Sequence, residues 1–345
     1  MIAPLQKMKG VGLIELMISM TIGLVTVGVI GWVYLGSIQT YRTHDAISRL
    51  QEGARYAFEI ISRDLRMAGV TGCSMDTSSN VINGGTEWYM NLFTMPVHSE
   101  DKNPSAASGA LNKFSDALSV LRADVSREYI VANHAAPNFT LKTAANPAIP
   151  NGEFMVATDC KHAAVFQSTG NAGVIVGHDI GGGPGNTTTD LGPAGGGYVF
   201  TPGARLYRLS AVTYYVAPNA AGVPSLFRRT MVAGAAQDEE LVEGVEDLRL
   251  HYAVDTSSPP DGQADFVAPY PYLSGDDVSN EITLGSDEEA RWSRVVSVRV
   301  SLLMRTAEDR VIPQPQTYTF DGVSTTPDDR HLRKVFTHVV KLRNR

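Results

Sequence analysis

Residues 16–38 carry no charged side chain, an unbroken run of 23 positions. As a helix rising 1.5 Å per residue, that run reaches about 35 Å, enough to cross the hydrocarbon core of a bilayer. A chain with such a rod must either wrap it in protein or leave it in lipid. Lys7 and Lys9 lie just before the run and the bulk of the chain lies after it. Because basic residues stay on the cytoplasmic side, the expected topology is a single pass with the amino terminus inside and the remainder outside.

One carboxylate, Glu15, sits in the apolar flank at the start of the run. An ionised side chain in lipid costs on the order of a few kcal/mol at a helix centre and less near the interface, so it calls for a cation. A peptidase cutting after Gly10 would create one. The new amine on Val11 would lie four residues from Glu15, and the amine of a neighbouring chain could serve as well. Two plainer readings compete. A secretory signal peptide has a shorter apolar core and a small-residue A-x-A site, and no such site follows this run. An uncleaved signal anchor accounts for length and orientation but leaves the Gly10 junction and Glu15 without a role.

Beyond the run, residues 40–69 show apolar side chains at Ile47, Leu50, Ala54, Ala57, Phe58, Ile61, Leu65 and Ala68, the spacing of one helical face. Asp45, Arg49, Glu52, Arg55, Glu59 and Arg63 occupy the other face. Asp45 with Arg49 and Glu59 with Arg63 are acid-first pairs four apart. No breaker separates this stripe from the run before it, so one long helix is expected, ended by Gly69 and Gly72.

The rest reads as strands and loops. Residues 70–116 are rich in turn residues, which predicts long surface loops with little regular structure. Strand patterns follow at 117–122, 129–132, 153–158 and 163–168, and again in ARLYRLSAVTYYVA, SLFRRTMV, LVEGVEDLRLHYAV and WSRVVSVRVSLLMRT. Val296, Val298, Val300 and Leu302 alternate with Ser297, Arg299 and Ser301, the period of a half-buried strand. Two glycine clusters, 177–185 and 192–197, lack the lysine and hydroxyl residue of a phosphate cradle and read as loops. Asn186 with Thr188 matches the short glycosylation acceptor pattern.

Composition narrows the classes. Hydrophobic residues make up 43% and charged residues 19%, which favours a packed head over disorder. The net charge of −7, without any dense basic block, argues against nucleic acid as a ligand. No H-E-x-x-H or G-x-S-x-G pattern is present, and His98, His134, His162, His178 and His251 are scattered among turns and strand ends. Asp255, Asp261 and Asp265 are a candidate calcium loop, although Pro259 and Pro260 interrupt it and the carboxylates are not at alternate positions. Cys73 and Cys160 both fall outside the predicted span, where an isolated pair in an oxidising compartment is most simply a disulfide. Neither has a second ligand at zinc-type spacing.

Lys9, Gly10, Val11, Gly12, Leu13, Ile14, Glu15, Leu16 resembles the class III leader of type IV prepilins. That resemblance implies cleavage between Gly10 and Val11 by a prepilin peptidase, N-methylation of Val11, and an assembly role for Glu15. The family usually has phenylalanine and threonine after the cut, where this chain has Val11 and Gly12. GARYAFEIISRDLRMAGVTGC, FMVATDCKHAAVFQST and LVEGVEDLRLHYAVDT are similar to segments of PilW-type minor pilins, relatives of the type II secretion minor pseudopilin J. The resemblance implies an α+β type IV pilin fold, with a long N-terminal helix packed on an antiparallel sheet. The domains expected are a leader at 1–10, a transmembrane helix at 11–38, its amphipathic continuation at 39–69 and a periplasmic or extracellular head at 70–345. It further implies a non-enzymatic minor pilin that needs no cofactor and primes fibre assembly in the inner membrane before moving to the pilus tip. Its partners would be other minor pilins, the major pilin and a large tip adhesin. A secretion pseudopilin and a membrane-anchored periplasmic enzyme are the alternatives.

Overall fold

The computed structural model describes residues 12–343, apart from Ser74, 84–90, Ala106, 108–109, 146–147, 182–184, 194–195, 233–234 and 268–271. The expected leader and the Gly10–Val11 junction lie outside the described residues. The first element is α1, Leu13–Arg66, a single helix of 54 residues that covers both halves of the predicted rod. It is exposed as far as Ser37, and its second half buries Leu50, Ala54, Ala57, Ile60, Ile61 and Leu65, much as the stripe predicts. Asp45 and Arg49 pair at 3.0 Å on the exposed face. Glu59 and Arg63 do not pair, because Arg63 turns to the next residue, Asp64, at 3.8 Å. The chain leaves the helix through Gly69, whose φ of +73° is open to glycine at little cost.

Sixteen strands follow among the described residues: β1 Thr77–Asn80, β2 Val97–Glu100, β3 Ala117–Ala135, β4 Asn138–Leu141, β5 Phe154–Thr158, β6 His162–Gln167, β7 Thr169–Ala172, β8 Ile175–Gly177, β9 Arg205–Pro218, β10 Pro224–Val232, β11 Ala235–Glu243, β12 Val245–Val254, β13 Val295–Arg305, β14 Tyr318–Phe320, β15 Val323–Thr325 and β16 Arg333–Lys341. Two short helices, α2 Gly275–Asn280 and α3 Glu288–Trp292, interrupt the later part. The fold is α+β, and most of its β-structure is one eleven-stranded sheet.

The long antiparallel pair β3–β9 is the spine of that sheet. At one end β2 lies beside β3 and β10–β11 beside β9; at the other, β4 and β5 take those places. One spine therefore carries two lobes. In the proximal lobe the spine, β10, β11 and the separate sheet β12–β13–β16 enclose the buried face of α1. Val298, Val300 and Leu302 point into this core, as the alternation in β13 predicts. The distal lobe has its own core, built around Phe139, Met155, Phe166, Val176, Leu191 and Phe200.

Three expectations need correction. Residues 70–116 contain two strands, and β1 pairs with β6 in parallel, so the sheet is not wholly antiparallel. The two patterns at 117–122 and 129–132 are parts of one strand, β3, whose register with β9 slips between Asp124 and Tyr129. The four residues between them are exposed, which breaks the alternation there. The block LVEGVEDLRLHYAV divides at Gly244 (φ +83°), where an added Cβ would lie 2.4 Å from the Arg305 carbonyl.

Cys73 and Cys160 form a disulfide, with Cα atoms 5.4 Å apart across a separation of 87 residues. It ties the segment leaving α1 to the corner between β5 and β6. α1 is thereby linked covalently to the distal lobe and by packing to the proximal one.

Candidate functional site

The largest candidate surface is the first half of α1. Every large apolar side chain from Leu13 (81% exposed) through Trp32 (79%) to Leu35 is exposed, a patch far larger than a soluble monomer carries. The helix is long and apolar enough to cross a membrane. Three hydroxyls near its start bond within it: Ser19 donates to the Glu15 carbonyl (2.7 Å), Thr21 to Ile18 (2.8 Å) and Thr26 to Ile22 (2.8 Å). Such internal bonding suits a helix in apolar surroundings, where no water takes up an unpaired donor. Glu15 lies in the first turn, where its charge favours the N-terminal end of the helix dipole, and within α1 it is the only charged side chain before Arg42. Val11, its expected neighbour in the assembled state, lies outside the described residues.

The head first touches α1 at Gln39, whose Nε2 donates to the Val311 carbonyl at 2.5 Å. Arg310 beside it has φ +62°, a strained value for a residue with a side chain. A crevice of about 530 Å³ lies here, lined by Tyr41, Arg42, Arg49, Arg305, Glu308 and Arg310 among others. Higher up, Gly53 passes close to Val242 and Met304, at 3.0 and 3.1 Å from where a Cβ would sit. Near the helix end Asp64 is buried at 1% exposure, and its Oδ2 accepts the Tyr214 hydroxyl at 2.6 Å. Arg122 stands 3.6 Å from its other oxygen. Burial, reinforced by the Asp64 carboxylate, pushes the Tyr214 phenol far above its ordinary range, so the donor stays protonated.

The remaining candidates do not converge. Asp255 accepts the backbone N–H groups of Ser257 (2.9 Å) and Gly262 (2.7 Å), while Asp265 accepts from Thr256 (2.7 Å) and Asp261 from Gln263 (2.8 Å). The three carboxylates are spent closing the loop on itself. Asp309, Asp329 and His331 bring ligand atoms within 4.8 Å of one another, but both terminal nitrogens of Arg333 already hold Asp329, which they keep down at about 2. Asn186, the glycosylation match, is 2% exposed and cross-braces the distal lobe: Oδ1 accepts from Gln167 N (2.7 Å), and Nδ2 donates to the carbonyls of Gln167 (2.7 Å) and Asp179 (3.0 Å).

Sequence reasoning left the histidines dispersed. The structure buries His134, His162 and His178 together in the distal lobe. Their partners lie 29 to 85 residues away, and no spacing in the sequence signals such contacts.

A family model described as type IV pilus-assembly protein W matches residues 213–344. The matched segment comprises the end of β9, strands β10 to β16 and both short helices, the part of the head that grips the second half of α1. The match supports a PilW-like protein with a part in type IV pilus assembly at the cell envelope. No curated protein and no solved structure matches the chain significantly.

Proposed function

We propose that this chain is a minor pilin of the PilW type. Its leader is removed after Gly10, the new amine of Val11 is methylated, and the protein waits in the inner membrane with its head in the periplasm. It joins other minor pilins to prime the fibre and stays at or near the tip, where it supports twitching and adhesion. Glu15 docks against the terminal amine of a neighbouring prepilin, and the apolar face of α1 moves from lipid into the fibre core. The role is structural rather than enzymatic.

One observation carries this reading: a single unbroken helix is bare over its apolar half and is gripped over its other half by the pilus-assembly-like segment. A head of about 275 residues also suits an end position better than a repeating place in a thin fibre. In that family the subunit at the extreme tip lacks the glutamate, so a chain that keeps Glu15 sits beneath another subunit.

Glu15→Ala should leave the amount of protein unchanged while lowering the number of surface fibres, counted by electron microscopy. Wild-type fibre number and twitching in that strain would remove the assembly role. The intact mass after exposure to a prepilin peptidase should correspond to loss of residues 1–10.

A further inference from the structure

The distal core is closed on one side by residues 196–204, which form neither helix nor strand. At their far end the backbone pairs with β3 through Gly203 N to Val131 O and Val131 N to Ala204 O, both 2.8 Å. At 198–200 side chains hold them. The Tyr198 hydroxyl donates to Asp159 at 2.8 Å, and the Phe200 N–H donates to His134 Nδ1 at 3.1 Å.

The second of these bonds fixes a chain of protons. Since His134 Nδ1 accepts, the hydrogen of the neutral ring is on Nε2, which lies 3.1 Å from His178 Nε2 and donates to it. The hydrogen of His178 is then on Nδ1, which has no partner beyond its own backbone carbonyl. His134 is 4% exposed and His178 is fully buried. This arrangement also disfavours a metal between the rings, because the Nε2 that would ligate is the nitrogen that must carry the hydrogen.

Neither ring can take a second proton and keep both bonds. Protonation of His134 Nδ1 expels the Phe200 N–H, and protonation of His178 Nε2 sets two N–H groups head to head. Either cation would sit among Phe139 (4.2 Å from His134, stacked), Phe166 (5.7 Å from His178) and Phe200 (5.5 Å from His134). The titratable groups facing the pair are His162 on β6, 5.8 Å beyond Phe200, Tyr198 with its Asp159, Tyr129 on β3, and Asp179, whose side chain is exposed. None bonds to the pair. In the proximal core, by contrast, His98 has Glu288 and Glu100 to offset a proton.

We propose that the His134–His178 pair is an acid-labile latch: protonation frees residues 198–204 from β3 and uncovers the aromatic distal core, while the proximal lobe keeps its grip on α1. Burial, then the neighbouring His134, holds His178 down at about 4. A histidine depressed in this way contributes stability above its unfolded value near 6.5 and loses that contribution as pH falls through 4.

The test is hydrogen exchange with mass spectrometry on the full chain in detergent micelles at pH 7.0 and 4.5, with rates corrected for intrinsic exchange. One proton taken up across this window predicts about 50-fold more frequent opening of peptides covering 196–204 and 130–141. Peptides covering β12 and β13 should keep or gain protection, since protonation of Asp116 favours that lobe. Unchanged protection at 196–204, or equal loss in both lobes, would overturn the proposal. His178→Gln should flatten the acid response while leaving the pH 7 spectrum native-like, and a variant that retains the full response also overturns it. If that variant does not fold, ¹⁵N-histidine spectra of the wild type decide. Rings that stay neutral until below pH 5 support the latch, and rings that charge near pH 6.5 without loss of protection refute it.

Discussion

Tyr214→Phe isolates the bond that fixes the upper end of α1 to the spine of the sheet. The substitution leaves the ring in place and deletes the hydroxyl that donates to Asp64 Oδ2 at 2.6 Å. Oδ1 already lacks a hydrogen bond, with Arg122 at 3.6 Å and Arg63 at 3.8 Å offering charge but no aligned donor. A carboxylate at 1% exposure would then be stranded. A hydrogen bond to a charged group contributes roughly 1.5–3 kcal/mol, so a loss of about 2–3 kcal/mol is expected. Asp64→Asn keeps an acceptor for Tyr214 and forfeits only long ion pairs, so it should cost about 1 kcal/mol or less. The double variant should cost less than the two singles together, with a coupling of about 1–2 kcal/mol. Urea denaturation of the full chain in micelles, followed by the fluorescence of the buried Trp292, measures all four species. A Tyr214→Phe protein within about 0.5 kcal/mol of wild type would show that this bond does not hold the helix.

Asp116, 2% exposed, is pushed up to about 6 by burial, against the bonds it accepts from Leu250 N–H and Arg249. A raised carboxyl contributes stability below its unfolded value near 3.9 and loses it as pH rises through 6. Asp116→Asn should remove that slope, so wild-type stability relative to the variant falls by up to about 3 kcal/mol between pH 4 and 7; parallel urea curves would refute it. Cys73→Ser opens a loop of 87 residues and should lower stability by up to about 4.5 kcal/mol while exposing a Cys160 thiol to Ellman's reagent. No released thiol would mean that the two sulfurs are not joined.

The rod was the most legible part of the chain, because its signals are local: an uncharged run, then a stripe with a 3.6-residue period. The alternation in β13 was legible for the same reason. What escaped depends on contacts between distant residues. β16 puts Phe336 and Val335 opposite Leu302 and Leu303, yet in its own sequence, RKVFTHVVK, polar and apolar residues alternate poorly. β1 is TSSN, with no apolar residue at all, and exists because β6 offers it an edge. Asp64 lies on the buried side of α1 although its type places it outside, since Tyr214, 150 residues later, supplies the donor. Asn186 and the three buried histidines belong to the same class, being polar residues whose burial is stabilised by partners that only the fold brings near.

The proximal core and the aromatic distal core carry opposite responses to acid. Asp116 accepts bonds from Arg249 and Leu250 on β12 and stands at the start of β3, so its protonation between pH 6 and 4 favours the proximal lobe. His134 and His178 join β3 to the end of β8, and their protonation over the same interval disfavours the distal lobe. Both groups act through β3, one at each end, with the exposed slip at 125–128 between them. Four residues outside the β3–β9 ladder leave that part of the spine without cross-strand bonds, so loosening at one end need not travel to the other. Lowered pH should therefore separate the lobes in stability rather than melt them together. Because the head packs against its helix through the proximal lobe, the distal lobe can open on its Cys73–Cys160 tether without loosening that packing.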